Sequence, residues 1–412
     1  MSEGKSKDYS KSIRTVYVFV LFNNMASAMF SIFTPIVVYE ISKDLFMTSL
    51  IMSIPQIFWI LGELFFGNMG DKRQNMKAII VYTTVLSGLS LFPFLISESG
   101  PILIIAYSIA SFFEGGMAPN LNAYVSLVSS KKGESFGNLM ASSSFGWFLG
   151  SVISGIMMEN FSYKILYLLA MIGLILSSFL MREAEDFKVK SSKGGICGFE
   201  GYVEILKDTK ISLLFLSILI LTIGKSAPFS IFSVFFIEGI GGDKLLFSIG
   251  DGLASILGVV SSYSLGKLSN RYDTAKFVLM FGFLGYVFTL PFLIFSRDPF
   301  LLLIVFIIPF YSFISTSVPV FVSELISEER RTRGMALYTT SMDIGLEIGF
   351  LWVSAVTYLN KETDVVELMR KMASFGFVLS LISTAIIMIT LNKVKGKKSV
   401  SLEGSSNDDR TI

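Results

Sequence analysis

Apolar residues run along this chain in stretches of about 20, separated by short polar segments, from one end to the other. Twelve such stretches fall at 14–39, 45–68, 78–97, 101–128, 135–158, 162–182, 211–237, 245–266, 276–296, 299–324, 335–358 and 367–391. Each is long enough to cross a hydrocarbon layer of about 30 Å as a helix. An open strand in that layer would leave its backbone groups unpaired, so helices are required. The pattern predicts an all-α integral membrane protein of twelve spans. Polar stretches set the domain limits: a tail at 1–13, a six-helix bundle at 14–182, a linker at 183–210, a second six-helix bundle at 211–391, and a tail at 392–412.

Composition agrees. Of 412 residues, 52% are hydrophobic and only 16% charged, too little charge to clothe a soluble surface of this size. Placement of the basic residues sets the orientation. One set of loops holds Lys72, Arg73, Lys77, Lys131, Lys132, Lys267, Arg271, Lys276, Arg330, Arg331 and Arg333. The alternate loops hold Lys43, Lys164, Lys244, Arg297, Lys361, Arg370 and Lys371, a thinner distribution. That asymmetry puts both termini and the linker in the cytoplasm of a cell-membrane protein. The polar, Lys-bearing start of the chain reads as a cytoplasmic tail rather than a signal peptide. The linker, with a Ser/Lys/Gly stretch and Cys197, reads as a tether between bundles. With no His and one Cys, imidazole chemistry, thiolate clusters and an internal disulfide are all excluded.

The two halves repeat. Phe30-Ser31-Ile32-Phe33 returns as Phe229-Ser230-Ile231-Phe232, a shift of 199 residues. Gly67, Gly146, Gly150 and Lys77 return at the same shift as Gly266, Gly345, Gly349 and Lys276. Six spans per half is an even number, so the halves share one orientation and the pseudo-twofold runs along the membrane normal.

After the second span comes Gly67-Asn68-Met69-Gly70-Asp71-Lys72-Arg73, and after the eighth Gly266-Lys267-Leu268-Ser269-Asn270-Arg271. A Gly, an apolar residue two later, then an acid and a base between the second and third spans resembles the signature of the major facilitator superfamily. Twelve spans, the six-plus-six repeat and the central linker extend the likeness over nearly the whole chain. The resemblance implies two pseudo-symmetric bundles and a cytoplasmic gate. Gly67 would pack on the eleventh helix, and Asp71 and Lys72 would latch that helix's N-terminus, with Gly266 and Arg271 as the second copy. A carboxylate at a helix N-terminus is stabilised by about 0.3–1 kcal/mol. Gln74 and Asn270 depart from the pattern, so the latch is expected in one half.

Gly146-Trp147-Phe148-Leu149-Gly150-Ser151 and Gly155 look like the fifth-helix motif of the family's exporters, with Ser151 where a Pro is usual. Gly at i and i+4 also brings helices close whatever the direction of transport. The exporters' fourth-helix Arg would fall at Ser111 and is missing.

Asn23, Ser27, Ser31 and Thr34 share one face of the first span. The shift of 199 gives Thr222, Ser226, Ser230 and Ser233, polar at every position. Two matching stripes on related helices predict a shared wet pathway, although small residues at helix contacts give the same pattern. Glu114, Lys225 and Glu347 lie deepest in the spans, with Asp343 one turn from Glu347, and Asp251 in the eighth span. A charge facing lipid at mid-depth costs about 2.5–3.5 kcal/mol, so these groups should face the bundle interior. Glu114 or Glu347 is the expected proton carrier, and Lys225 its partner or a site for an anionic group.

The expected function is secondary, proton-coupled transport of a small organic solute by alternating access, favouring export of amphipathic compounds. Uptake of an anionic nutrient is the alternative, and a transport-inactive receptor is the rival from another class. An enzyme is not expected: no nucleophile motif, metal-ligand cluster or phosphate-cradling loop is evident. No cofactor, metal or nucleic-acid partner is expected. The expected partners are the bilayer, the solute and H⁺, with the chain acting as a monomer.

Overall fold

The computed structural model describes residues 2–73, 75–128, 132–185, 200–268, 272–326, 331–360 and 363–393. Among them are twelve helices long and apolar enough to cross a membrane. The first six are α1 (Lys11–Ser42), α2 (Leu45–Gly67), α3 (Met76–Ile96), α4 (Gly100–Val125), α5 (Gly137–Asn160) and α6 (Tyr163–Arg182). The second six are α7 (Thr209–Gly239), α8 (Lys244–Leu265), α9 (Thr274–Phe295), α10 (Pro299–Val322), α11 (Leu337–Leu359) and α12 (Val365–Asn392). Within the stretch read as a tether, Glu200–Leu206 is a short helix, and its Ile205 is buried against the second bundle. Cys197 lies outside the described residues.

Packing repeats between the halves. Helix α1 packs on α5 and α6 as α7 does on α11 and α12, and α2 on α4 as α8 does on α10. The bundles meet along two equivalent seams, α5 with α8 and α2 with α11. Glycine makes the tightest contacts. A Cβ at Gly146 or Gly150 of α5 would collide with the Leu21 or Met25 carbonyl of α1. A Cβ at Gly345 of α11 would sit 2.8 Å from the Leu219 carbonyl oxygen of α7, and one at Gly349 2.8 Å from that of Ile223. Gly155 admits Ser248 and Leu245 of α8 to the seam between bundles. Small residues let helix backbones approach where lipid supplies no hydrophobic drive for association.

The repeated Phe-Ser-Ile-Phe segment marks a break in each copy. Helix α1 is interrupted at Ile32–Phe33 before resuming at Thr34–Ser42, and α7 is interrupted at Ile231. Pro35 and Pro228 lack the N–H that would continue the ladder. Serine side chains bond back to their own helices next to each break. Ser31 donates to the Ser27 carbonyl at 2.8 Å and Ser230 to that of Ala227 at 2.8 Å. After its break α7 ends in a π-helical turn, Phe235–Gly239.

Three apolar cores define the shape. One contains residues of both halves, among them Phe33, Ile36, Phe232, Phe236 and Phe247, and lies beyond the two breaks. The other two belong to one half each: Val16, Phe19 and Tyr124 in the first, Phe215, Phe321 and Tyr338 in the second. These separate cores lie at the end of the molecule that carries the Lys-rich loops. Among the described residues, the bundles are therefore joined at the far end and parted at the basic-loop end. Across the far end Ser49 and Thr357 meet at 3.2 Å, and Ser53 and Ser354 at 3.3 Å. Lys244 pairs with Glu40 at 2.7 Å, linking α8 to α1. At the basic-loop end Lys77 instead donates to the Arg182 and Ala184 carbonyls at 2.7 and 2.6 Å, a cation on the C-terminus of α6.

Candidate functional site

A cavity of about 1450 Å³ opens between the parted bundles. It runs from Phe229, Phe306 and Phe350 at mid-depth toward Gly137 of α5 and Ser264 of α8 at the basic-loop end. Its volume exceeds the roughly 300–1,000 Å³ usual for a small-molecule site. The wall belongs mainly to α7, α8, α9, α10 and α11, with α5 closing one side. Helix α10 breaks at Ile308–Pro309, and both residues line the cavity.

Lys225 lines this cavity on α7. Its Nζ lies 4.9 Å from the Tyr311 ring centre and 5.6 Å from that of Tyr286, within cation–π range of both. Among the described residues it has no ion pair with any carboxylate. Glu347 does not pair with it. Both Glu347 carboxyl oxygens are buried and have no hydrogen-bond partner among the described residues. Its helix neighbours Leu346 and Phe350 line the cavity. Asp343, one turn toward the basic-loop end, is half-buried and within electrostatic range of Glu63 on α2. Glu114 lies in the other bundle, where it accepts a hydrogen bond from Ser27 of α1.

The two polar stripes take different places. Of their eight residues, Ser226 borders the cavity. Asn23, Ser27, Thr34, Thr222, Ser230 and Ser233 are buried in helix contacts, and Ser31 is half-buried. Thr34 bonds the Tyr167 hydroxyl of α6 at 2.7 Å and donates to the Phe30 carbonyl of its own helix. Ser226 contacts the carbonyl oxygens of Ile223 at 3.2 Å and Gly345 at 3.5 Å. The cavity is thus displaced from the α1–α7 axis toward the second bundle.

At the basic-loop end Gly67 lies 3.8 Å, measured from the Cβ it lacks, from Pro119 of α4. Its neighbour there is α4 rather than α11, as parted bundles require. The side chains of Asp71 and Lys72 lie outside the described residues, as does Arg271; Gly266 lies near the end of the helix that contains α8. A polar joint that the sequence reading did not assemble crosses the other seam. Asp251 of α8 accepts from Trp147 Nε1 at 2.7 Å and Ser151 Oγ at 3.1 Å, both on α5. Trp147, beside the close-packing Gly146, was the available signal.

Two six-helix bundles stand about a cavity open at one end and sealed at the other. A family profile described as Major Facilitator Superfamily matches residues 16–350. The chain belongs to that superfamily, and its members transport small molecules across membranes. It is 24% identical over 240 residues to the multidrug resistance protein MdtG of Escherichia coli. That match covers 56% of this chain and only 58% of the relative's length. Among solved structures, the nucleoside transporter NupG superposes with a TM-score of 0.75 at 13% identity, covering 93% of this chain and 99% of that one. A bacterial homologue of the human lysosomal transporter Spinster, inward-facing and unoccupied, gives 0.75 at 12% identity over 95% of this chain and 98% of its own.

Proposed function

We propose that this chain is a proton-coupled secondary transporter that moves a small amphipathic organic solute outward across the cell membrane by alternating access. The observation that carries the coupling is Glu347, a carboxyl without a donor or cation among the described residues, between two cavity-lining neighbours. Charge on such a group is uncompensated, and a proton reaching it through the open cavity would neutralise it. Outward movement is supported by the similarity to a multidrug resistance protein and by the aromatic cavity wall. A second reading, uptake of an anionic solute, is favoured by Lys225.

The test is reconstitution in proteoliposomes with a pH-sensitive dye, screening compound classes with the proton gradient in each direction. Solute-dependent proton movement is the expected result. The productive gradient direction separates export from uptake, and solute binding without proton movement removes the coupling. The site would act within a single chain, so a monomer should suffice.

With the basic loops facing the cytoplasm, the cavity is open inward. Cys197 provides a test, because the chain has one Cys. A membrane-impermeant maleimide should leave intact cells unlabelled and react after permeabilisation. Equal labelling of intact cells would reverse the orientation.

A further inference from the structure

We infer that the cavity takes an amphipathic organic anion, with its acidic head on Lys225 beside Tyr286 and Tyr311 and its apolar body along Phe229, Phe306 and Phe350. This rests on the cavity being the solute site and adds the chemistry of the solute. Lys225 is the one charged residue among the described residues that line the cavity, so the described wall has a single positive charge and no acid beside it. The carboxylates of the helices around the cavity are placed elsewhere. Asp251 is engaged by Trp147 and Ser151, and Glu347 and Asp343 of α11 are not part of the wall. An organic cation entering the cavity would meet repulsion from Lys225, whereas an anion would meet a counter-charge there.

The aromatic setting fixes where that counter-charge sits. Tyr311 and Tyr286 hold the ammonium by their ring faces, and ring faces do not use up its three N–H donors. Carboxylate, sulfonate or phosphate-ester oxygens would accept those donors in charge-assisted hydrogen bonds. Next to the ammonium the wall turns apolar. The rings of Phe229 and Phe306 are 5.8 Å apart, and Phe306 stacks on Phe232 at 4.8 Å, which stiffens the surface against which a ring or chain would lie.

The test is isothermal titration of the detergent-solubilised full chain with three probes sharing one ring system: naphthylacetate, naphthylacetamide and naphthylmethyltrimethylammonium. The wild-type protein is expected to bind naphthylacetate about tenfold or more tightly than the other two. Lys225→Met should bring the three within about twofold, while Lys225→Arg keeps the preference. If the Met variant does not elute as a folded species, Lys225→Gln takes its place with the same expectation. Equal affinities in the wild type, no binding of any probe, or a preference that survives loss of the lysine would each overturn the inference. Titration needs no gradient, so the two readings fail separately. Anion-selective binding without proton movement in proteoliposomes defeats only the coupling, and proton-coupled transport without anion preference defeats only this assignment.

Discussion

Glu347→Gln is expected to abolish proton-driven solute movement in proteoliposomes while leaving solute exchange between preloaded vesicles and medium largely intact. Gln copies the shape of the protonated acid and can neither release nor take up a proton. If the carboxyl must be alternately charged and neutral for the cavity to switch sides, the variant loses the link to the gradient and keeps the neutral-state traffic. Gradient-driven accumulation should fall to the protein-free background, whereas the exchange rate should change by less than about threefold, a shift of under 1 kcal/mol. Glu114→Gln should have the milder effect, because Glu114 already has a donor in Ser27, whereas Glu347 has none among the described residues and stands between cavity-lining Leu346 and Phe350. Full gradient-driven transport by both variants would remove proton coupling from the description.

The second large effect is on assembly. Gly150→Leu should destroy the α1–α5 contact, since even a Cβ there meets the Met25 carbonyl and lies 2.8 Å from the Ala28 Cβ. Overpacking a well-filled contact costs about 1–3 kcal/mol or more, and a backbone carbonyl cannot turn aside as a side-chain tip can. Loss of a monodisperse peak in size-exclusion chromatography, or a sharp fall in Tm, is the expected result. Gly137→Ala is the control, because nothing lies within 4 Å of its Cβ position. Its Tm should match that of the wild type. A stable Gly150→Leu variant would show that α1 and α5 part readily. A smaller effect is expected at the other seam, where Asp251→Asn removes a charge-assisted bond from Trp147 but keeps an acceptor for it.

Much of this architecture was legible in the chain. Span number and approximate span limits follow from apolar length alone, because lipid imposes both length and helicity. The glycine pairs at 146/150 and 345/349 announced close packing, and each occupies a helix contact at equivalent places in the two bundles. The placement of Glu114, Lys225 and Glu347 within apolar spans could be read too, since ionisable groups stand out there. Their partners could not. Ser27 and Glu114 are 87 positions apart, and Trp147 and Asp251 104. Those pairings depend on which helices adjoin, a matter that periodicity within one span does not address. The polar stripes illustrate the same limit. Hydroxyls facing a cavity and hydroxyls turned back on their own carbonyls produce one sequence pattern. The charge of the cavity wall depends on which face of six helices turns inward, so the position of Lys225 as the one charge in the described wall emerged only with the fold.

The interruptions in α1 and α7 have a consequence for how the sealed end would open under the proposed alternating access. Beyond each break, a segment of two or three turns carries the apolar contacts that join the halves, Phe33 and Ile36 on one side, Phe232 and Phe236 on the other. Each segment hangs from its bundle by a joint rather than by a continuous rod. In an alternating-access cycle these segments would be able to swing while the bundles stand still, so duplication has copied the elbows along with the limbs.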